Sequence, residues 1–288
     1  MRDFDEQTIT NAVQTSFAGT PDARLRQIMS SLVAHMHGFI REVEPSFEEF
    51  QAATKFLTAT GQISNQRRQE FILLADVLGV SMLIDAINHR MPDGATETTV
   101  LGPFHVADAP LCANGADISA GVAGELLFVD GSVVDPQGTP LAGAAIDVWQ
   151  SDAEGFYDVQ RPERSLSALR ARLCSDAAGR FWFRSIVPAA YPIPDDGPVG
   201  AMLRATNRHP WRPAHVHFMI SAPGYQMLVT HVFVAGDQYL ESDAVFGVKT
   251  SLIADFVAMP PGALPDGSES AQPWRQLSYQ FGLKPAST

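Results

Sequence analysis

Residues 212–220 read Arg212-Pro-Ala-His-Val-His-Phe-Met-Ile220, and this stretch decides the fold prediction. His215 and His217 flank a valine, and the apolar run that follows them is typical of a buried β-strand. Side chains two positions apart on a strand share a face and lie about 6.6 Å apart along it, so two imidazoles can converge on one metal ion. The alternative interpretation is a pair of core histidines that hydrogen-bond to backbone groups.

A second His-X-His pair, His35 and His37, lies among apolar residues that have helical spacing. Two residues on a helix are about 200° apart around its axis, so these two imidazoles diverge. We therefore predict that only the pair at positions 215 and 217 forms a site.

The composition indicates a globular protein that binds neither nucleic acid nor a membrane. The 288-residue chain is 45% hydrophobic, has a formal net charge of -12 and contains no basic run. No stretch reaches the ~18 apolar residues of a membrane span, and the N-terminus lacks the apolar segment of a signal peptide, so a cytoplasmic location is expected. Cys112 and Cys174 are too far apart in sequence to suggest a zinc knuckle or a disulfide framework.

The first third of the chain is predicted to be helical. Apolar residues between positions 25 and 40 follow the spacing of one amphipathic helix face. Ser46, with Glu49 three residues later, predicts a capping-box start for the next helix. A third helix is predicted over residues 70–87. It is apolar nearly all round, which indicates burial, either in the core of one chain or against a second copy in a homodimer joined through these N-terminal helices.

After residue 124 the pattern becomes that of short strands separated by Gly/Pro turns, which favours a β-sandwich. Strands are predicted at residues 125–135, 144–150, 180–186, 214–221 and 228–235. The turn at residues 136–140 is predicted to return the chain directly from the first strand to the second. A late helix is predicted around residues 251–257, and the segment from residue 260 onward is predicted to be partly loose.

Two tyrosines stand in settings that suit metal ligands. Tyr157 lies in a turn directly after a strand, and Tyr191 lies among prolines that keep its backbone extended. Each alone is more often a packed aromatic residue, but with the strand histidines they suggest two phenolates and two imidazoles around one metal. A phenol has a pKa of about 10 and becomes an anionic ligand at pH 7 only beside a highly charged cation. This chemistry favours Fe(III) over zinc.

The motifs around these residues resemble those of the intradiol ring-cleaving dioxygenases, non-haem Fe(III) enzymes that open catechols. They are Gly131-Ser-Val-Val-Asp135, Pro140-Leu-Ala-Gly-Ala144, Asp147-Val-Trp-Gln-Ser-Asp152, Gly155-Phe-Tyr-Asp158, Tyr191-Pro-Ile-Pro-Asp-Asp-Gly-Pro-Val-Gly200 and Arg212-Pro-Ala-His-Val-His217. The resemblance implies a mainly β fold with a helical N-terminal region (α+β). Residues 1–95 would be the helical dimerisation region, and residues 96–288 a transthyretin-like or Greek-key β-sandwich catalytic domain. It also implies one Fe(III) per chain, with four ligands: Tyr157, Tyr191, His215 and His217.

The resemblance implies separate roles for the two tyrosines and a role for an arginine. In the family the second tyrosine dissociates when the substrate binds and accepts a proton, so Tyr191 is expected to be the catalytic base and Tyr157 the permanent ligand. Arg212 matches the family arginine that stabilises negative charge on the substrate, although a salt bridge at the start of a strand is the alternative. The expected partners are a small aromatic diol or triol and O2.

Within the family the chain most resembles the hydroxyquinol 1,2-dioxygenases, through Thr98-Thr-Val-Leu-Gly-Pro-Phe104, Leu228-Val-Thr-His-Val-Phe233 and Asp243-Ala-Val-Phe-Gly247. This implies that O2 cleaves hydroxyquinol (1,2,4-trihydroxybenzene) between adjacent hydroxyl-bearing carbons to give 3-hydroxy-cis,cis-muconate or maleylacetate, in the catabolism of aromatic compounds. Catechol or chlorocatechol 1,2-dioxygenase activity is the alternative. The implied substrate-binding residues are Leu73, Asp76, Val100, Leu101, Gly102, Pro103, Phe104, Ile193, Pro194, Arg212, His231 and Val245.

Two of these pocket residues bear on the choice of substrate within the family. Asp76 is a polar side chain among apolar ones and can pair with the third ring hydroxyl of hydroxyquinol. His231 stands where catechol 1,2-dioxygenases tend to have glutamine. His105 departs from the pattern, since an aromatic residue such as tyrosine is expected there.

Other classes of protein fit the sequence less well. A cupin dioxygenase also uses His-X-His on a strand but needs a glutamate a few residues later, and residues 218–222 contain no carboxylate. An amidohydrolase would need alternating β/α units, which the second half of the chain lacks. A non-catalytic, transthyretin-like binding module is the distant alternative, but such a module has no need for four convergent ligands.

Overall fold

The structure is a computed structural model that describes residues 2–65, 68–161 and 167–286. It divides into two compact units, Met1–Gln62 and Ile63–Thr288. The helices that lie between residues 63 and 95 therefore group with the second unit. The predicted functional boundary after residue 95 stays a prediction.

A helical N-terminal region is followed by a region rich in strands, as predicted. The α-helices of the described ranges are Ile9–Ser16 (α1), Ala23–Val43 (α2), Phe47–Ile63 (α3), Glu70–Val77 (α4), Val80–Asn88 (α5) and Pro198–Ala205 (α6). The strands are Leu126–Val134 (β1), Ala145–Gln150 (β2), Arg170–Cys174 (β3), Arg180–Ile186 (β4), Tyr191–Pro192 (β5), Trp211–Arg212 (β6), His215–Ser221 (β7), Leu228–Val234 (β8), Ile253–Ala254 (β9), Val257–Met259 (β10), Gly262–Ala263 (β11), Glu269–Ser270 (β12) and Trp274–Gly282 (β13). Short 3-10 helices lie at Asp158–Gln160 and Thr250–Leu252.

The helical unit forms where the sequence predicts it. The Ser46 backbone N–H donates to Glu49 Oε2 at 2.7 Å, and the Glu49 backbone N–H donates to Ser46 Oγ at 3.2 Å, which is the predicted capping box. Helix α2 begins after Asp22, whose carboxylate accepts from the backbone N–H groups of residues 24 and 25. Apolar side chains along α2, such as Leu32 and Phe39, are exposed.

The single helix predicted over residues 70–87 is instead two helices, α4 and α5. Gly79 has a φ of +72°, a left-handed conformation that ends α4 and that glycine adopts without strain. Val77 of α4 is fully buried, whereas Phe71, Ile72 and Leu83 are exposed. The prediction that the segment is buried all round is therefore wrong for the single chain.

The second unit is a β-sandwich. One sheet has the strand order β10-β13-β1-β4, and the other has the order β3-β2-β7-β8-β9. Both sheets contribute to one hydrophobic core, among whose fully buried members are Leu127, Val129, Ile146, Phe181, Phe183, Phe218, Ile220 and Phe281. Gly131 of β1 leaves room for this packing, because a Cβ there would lie 2.2 Å from the ring of Phe181. The sandwich confirms the predicted fold class.

Three local predictions in the sandwich are wrong. Strands β1 and β2 do not form a hairpin, because the turn after β1 carries the chain into the other sheet, where β2 pairs with β3 and β7. The late helix is a 3-10 turn followed by β9 and β10, since apolar residues there meet sheet edges rather than one helix face. The C-terminal segment contains β13, whose backbone pairs with both β10 and β1 although many of its side chains are polar.

Strand β7 separates the core of the sandwich from the candidate site. Val216, Phe218 and Ile220 point into the core, so His215 and His217 lie on the opposite face of the same sheet. On that face, the side chains of Phe104, Tyr157 and Tyr191 come from segments outside the two large sheets and pack together over the sheet. None of the helices in the described ranges has the length and apolar character that a membrane crossing needs.

Candidate metal centre

The two strand histidines are buried and poised as neutral ligands. His215 Nδ1 lies 2.7 Å from the Pro213 carbonyl oxygen, and a carbonyl only accepts, so Nδ1 carries the proton and Nε2 keeps its lone pair. The Nε2 atoms of His215 and His217 are 3.1 Å apart. Burial lowers the pKa of His215 to about 3 and that of His217 well below the usual range, with further lowering by nearby Arg212. Both imidazoles are therefore uncharged at neutral pH.

Tyr157 contacts this pair directly. Its hydroxyl oxygen lies 2.9 Å from His217 Nε2, and its ring is fully buried and stacked on Phe104 with centroids 4.3 Å apart. Burial, together with the neighbouring hydroxyl of Tyr191, raises the pKa of Tyr157 well above its usual value. The phenol therefore stays protonated at neutral pH unless a cation is bound beside it.

Tyr191 completes the group from another direction. It lies in β5, which pairs with β6 in the register Tyr191–Arg212. Arg212 Nη1 donates to the Tyr191 hydroxyl at 3.3 Å, and the rings of Tyr157 and Tyr191 are 5.2 Å apart. The structure thus brings the four predicted metal ligands together on one face of the sheet.

The spacing of these groups fits one cation. Four ligands held about 2.0–2.1 Å from an ion in a tetrahedron are about 3.3 Å from one another. The contacts of His217 Nε2 with His215 Nε2 and with the Tyr157 oxygen, at 3.1 and 2.9 Å, are close to that separation. Two neutral imidazoles and two phenols also have no positive charge of their own, so the donor set suits a metal ion.

A third histidine lies beside the pair. His215, His217 and His231 are buried, and one ligand atom of each lies within 4.8 Å of the others. His231 faces His217 across the β7–β8 ladder, and Arg212 Nη2 lies 3.4 Å from its Nδ1. One nitrogen of His231 is thus turned toward the arginine, and its ring lies 4.6 Å from that of His215 and 4.2 Å from that of His217 between centroids.

Arg212 both forms a salt bridge and faces the site, the two alternatives that the sequence left open. Its Nε donates to Asp243 Oδ1 at 3.0 Å and its Nη2 to Asp243 Oδ2 at 3.3 Å, while Nη1 faces Tyr191. Burial alone would raise the pKa of Asp243, but the Arg212 charge outweighs it and holds that pKa below its usual value. The pair is therefore ionised, and its guanidinium faces the site.

The predicted pocket residues fall into two groups. Residues 100–104 pass over the histidines: Gly102 has a φ of +75°, and a Cβ there would lie 3.3 Å from His217 Cε1. Phe104 stacks on Tyr157, whereas Leu101 and Pro103 are exposed. Val100 is half-buried, and its backbone lies within reach of the His231 ring.

The second group packs around α4. Leu73, Ile193 and Val245 belong to one apolar cluster, and Pro194 is half-buried directly after Ile193. Burial raises the pKa of Asp76, a hydrogen bond from Ser81 and the charge of Arg212 lower it, and the charge of Asp243 raises it further. Asp76 therefore lies within electrostatic range of the arginine that faces the site.

The structure reveals supporting residues that sequence reasoning missed. Trp149 stacks on His217 with centroids 4.6 Å apart, and it occupies the outward face of β2, as alternation along that strand could have shown. Arg170 forms a buried ion pair with Asp158, the residue after Tyr157, and donates to the Phe104 carbonyl at 3.1 Å. Asp243 begins one of the motifs noted above, but its pairing with Arg212 gave no local signal, because the two residues lie 31 positions apart in the chain. These contacts fix the rings around the ligands.

His105, the residue that departs from the family pattern, lies next to Trp149. Its ring meets Trp149 edge-on at 4.8 Å, and its Nε2 is 3.8 Å from Asp147 Oδ2. It therefore packs against the tryptophan that supports His217.

Comparison with known proteins agrees with this architecture. Residues 100–285 match the family described as "Dioxygenase", and residues 22–96 match "Catechol dioxygenase N terminus". The chain is 56% identical to a 6-chlorohydroxyquinol 1,2-dioxygenase of Cupriavidus pinatubonensis, over 99% of both chains. It is 51% identical to a hydroxyquinol 1,2-dioxygenase of Rhodococcus opacus, over 97% of this chain and 94% of that one.

The three-dimensional structure is also similar to that of a protein of this kind. The crystal structure of a hydroxyquinol 1,2-dioxygenase from Pseudomonas putida DLL-E4 superposes with a TM-score of 0.93, at 48% identity, over 98% of this chain and 99% of that one. The sandwich, the buried Tyr–His group and the full-length similarity lead to one conclusion. The chain belongs to the family of intradiol ring-cleaving dioxygenases.

Proposed function

We propose that this enzyme binds one Fe(III) per chain and uses O2 to cleave hydroxyquinol between adjacent hydroxyl-bearing carbons, which gives 3-hydroxy-cis,cis-muconate or its tautomer maleylacetate. The observation that supports the proposal most strongly is the convergence of two phenols and two neutral imidazoles beside a buried arginine. The full-length similarity to relatives named for hydroxyquinol and chlorohydroxyquinol supports the choice of substrate.

The donor set supports Fe(III) as the metal. Zinc sites draw their ligands from cysteine, histidine and carboxylate side chains, whereas this group presents two phenols. Hard Fe(III) prefers anionic oxygen and can ionise a phenol whose pKa burial has raised. When bound, the ion would act as a Lewis acid and accept charge from the aromatic ring, which prepares that ring for reaction with O2.

We assign different roles to the two tyrosines. Tyr157 is fully buried and fixed against Phe104 and His217, which suits a ligand that stays in place. Tyr191 lies on a two-residue strand, with the Arg212 guanidinium 3.3 Å from its oxygen. That cation can hold the Tyr191 oxygen after it dissociates, so Tyr191 is placed to accept a proton from a substrate hydroxyl.

Arg212 is the proposed electrostatic catalyst. Its Nη1 points toward the Tyr191 oxygen, where a substrate hydroxyl would enter, and the side chain is 3% exposed. A buried, fixed guanidinium stabilises negative charge that develops on the substrate more strongly than water does. No reorganisation is then needed during the reaction.

Asp76 is the proposed partner of the third hydroxyl. It lies on α4 next to the apolar cluster that contains Leu73, Ile193 and Val245, and it interacts electrostatically with Arg212. Ser81 hydrogen-bonds the Asp76 carboxyl but leaves it further acceptor capacity. A site built to hydrogen-bond a hydroxyl disfavours an analogue without it, because that remaining acceptor is then left without a partner. The difference is about 1–3 kcal/mol, or roughly a tenfold to hundredfold preference over catechol.

Steady-state turnover on one preparation tests the proposal. We expect kcat/KM for hydroxyquinol to exceed that for catechol by roughly tenfold or more, with both atoms of 18O2 in the ring-opened product. Asp76→Ala should lower kcat/KM for hydroxyquinol and leave catechol unchanged or improved, while the exposed-site control Asp255→Ala changes neither. A proportional loss on both substrates would make Asp76 structural, and absence of ring cleavage in the wild type would reject the function. The 6-chlorohydroxyquinol relative makes that compound a useful third substrate.

We further propose that residues 1–95 form a helical dimerisation region and that residues 96–288 carry the catalytic site. Apolar side chains are exposed on α2, as at Phe39, and on α4 and α5, as at Ile72 and Leu83. Monomeric proteins rarely expose so many large apolar residues. Sedimentation of the wild type should give a dimer at micromolar concentration. Phe39→Lys should weaken the dimer, and the control Glu42→Lys should not. A monomeric wild type would contradict the proposed dimerisation region.

A further inference from the structure

We propose that Asp243 is a positioning residue, which holds Arg212 so that one edge of its guanidinium faces the reacting group. The inference rests on the role proposed above for Arg212. It concerns a residue 31 positions farther along the chain, outside the set of ligands and pocket residues.

The contact between the two side chains is bidentate. Asp243 Oδ1 accepts from Arg212 Nε at 3.0 Å, and Oδ2 accepts from Nη2 at 3.3 Å. The side chains of Arg212 and Asp243 are 3% and 2% exposed. A forked contact of this kind fixes the plane of the guanidinium as well as its position.

The carboxylate is itself anchored to a rigid loop. The backbone N–H of Gly247 donates to Asp243 Oδ2 at 2.9 Å, and that of Val245 donates to Oδ1 at 3.3 Å. Between them Phe246 has a φ of +59°, a conformation that a bulky residue adopts only when its surroundings enforce it. The Ala244 backbone N–H also donates to the Trp211 carbonyl at 3.1 Å, which ties the loop to the residue before Arg212.

This arrangement assigns each edge of the guanidinium a separate task. Asp243 occupies Nε and Nη2, so Nη1 is the group left to face Tyr191. An arginine side chain has several rotatable bonds, and a misplacement of about 1 Å at a catalytic group can lower a rate about 100-fold. Asp243 also balances the buried charge of Arg212, which would otherwise be left uncompensated.

The first test is Asp243→Asn in the iron-loaded enzyme. An amide replaces one acceptor by a donor, which then meets an N–H of Arg212 or Gly247, so the fork is broken. We expect Arg212 Nη1 to move out of hydrogen-bond range of Tyr191 in a crystal structure. We expect kcat and kcat/KM to fall together by about 10- to 100-fold, as for loss of a transition-state contact. The matched control is Glu70→Gln, because Glu70 is a buried carboxylate that pairs with Arg68 at 2.9 Å.

The second test is a double-mutant cycle with Arg212→Gln. If Asp243 acts only through Arg212, then adding Asp243→Asn to Arg212→Gln should lower kcat less than threefold further. Equal losses in the two backgrounds, or an Arg212 that stays within hydrogen-bond range of Tyr191 in Asp243→Asn, would overturn the proposal.

A third variant covers the case in which Asp243→Asn fails to fold. Gly247→Ala changes no charge, but its Cβ would lie 3.0 Å from Arg212 Nη2 and 3.1 Å from Asp243 Oδ2. It should displace the pair and lower kcat, and an unchanged kcat with an undisplaced Arg212 would contradict the inference. Failure of the wild type to cleave hydroxyquinol rejects the proposed function instead, and the crystallographic position of Arg212 in Asp243→Asn still tests the role of Asp243.

Discussion

The protein contains the same three-residue pattern, His-X-His, in two kinds of backbone. On helix α2, His35 Nδ1 contacts the Ser31 carbonyl at 2.8 Å, while His37 Nδ1 contacts Thr10 Oγ1 at 3.0 Å. On strand β7, His215 and His217 are buried, and their Nε2 atoms lie 3.1 Å apart. The helix directs its two rings to different partners, whereas the strand brings its two rings together on one face. The backbone period, rather than the residue pair, makes the second pattern a candidate metal site.

The surroundings of the two pairs differ as well. The ring of His215 has a carbonyl partner on Nδ1 and stands near a buried arginine, and Trp149 stacks on His217. Burial depresses the pKa values of both strand histidines, so they are neutral and available as ligands. A site of this kind needs a shared face, supporting contacts and desolvation together.

The largest effect is expected when one histidine of the strand pair is removed. His217→Ala should remove tightly bound iron, because one of four ligands is lost, and should lower ring cleavage by more than about 1000-fold. The matched control is His37→Ala, which should retain one iron per chain and near-normal turnover. Metal analysis of the two purified variants, beside their turnover of hydroxyquinol, provides the measurement. Equal iron content in both would contradict the distinction between the strand pair and the helix pair.

A smaller effect separates the two tyrosines that join the strand pair. Tyr157→Phe should remove a permanent ligand and most of the visible absorption of the substrate-bound enzyme. Tyr191→Phe should leave that bound spectrum close to wild type, and it should slow substrate deprotonation by about 100-fold, because the proton acceptor is lost. Stopped-flow absorbance with hydroxyquinol distinguishes the two. Identical substrate-bound spectra would show that the assigned roles are incorrect.

The smallest expected effect concerns stability rather than chemistry. Burial raises the pKa of Asp76 in the folded protein above its unfolded value, so this carboxyl lowers the free energy of unfolding progressively as the pH rises from the unfolded pKa through the raised one. Asp76→Asn should therefore be more stable than wild type at pH 7. The advantage should vanish as the pH falls below the unfolded pKa of about 3.9, where Asp76 is neutral in both the folded and the unfolded state.

Urea denaturation of Asp76→Asn at a series of pH values measures this, with the exposed-site variant Asp255→Asn as the control. A gain of stability that is constant with pH would show that the gain does not come from the ionisation of Asp76, and a loss at pH 7 would show that the folded protein stabilises the carboxylate. The sign of the pH dependence decides between these outcomes.

The sequence predicted the fold class and most long strands because alternation and Gly/Pro turns are local signals. It failed where pairing depends on distant segments. Strand β13 is central although polar, and the turn after β1 leads to another sheet. The four candidate ligands were found from motifs, whereas Asp243 could not be, since only the fold brings it to Arg212. The break at Gly79 was also missed, because one glycine in an apolar run gives a weak local signal.

The central claim is that two phenolates and two imidazoles of this chain hold one Fe(III). Titration of the metal-free protein with iron, followed by visible absorption, tests it most directly. We expect a broad, red-brown tyrosinate-to-iron band that saturates at one iron per chain and is absent from the Tyr157→Phe, Tyr191→Phe double variant. A colourless protein that has bound one iron per chain, or a site that retains zinc in preference to iron, would contradict the account.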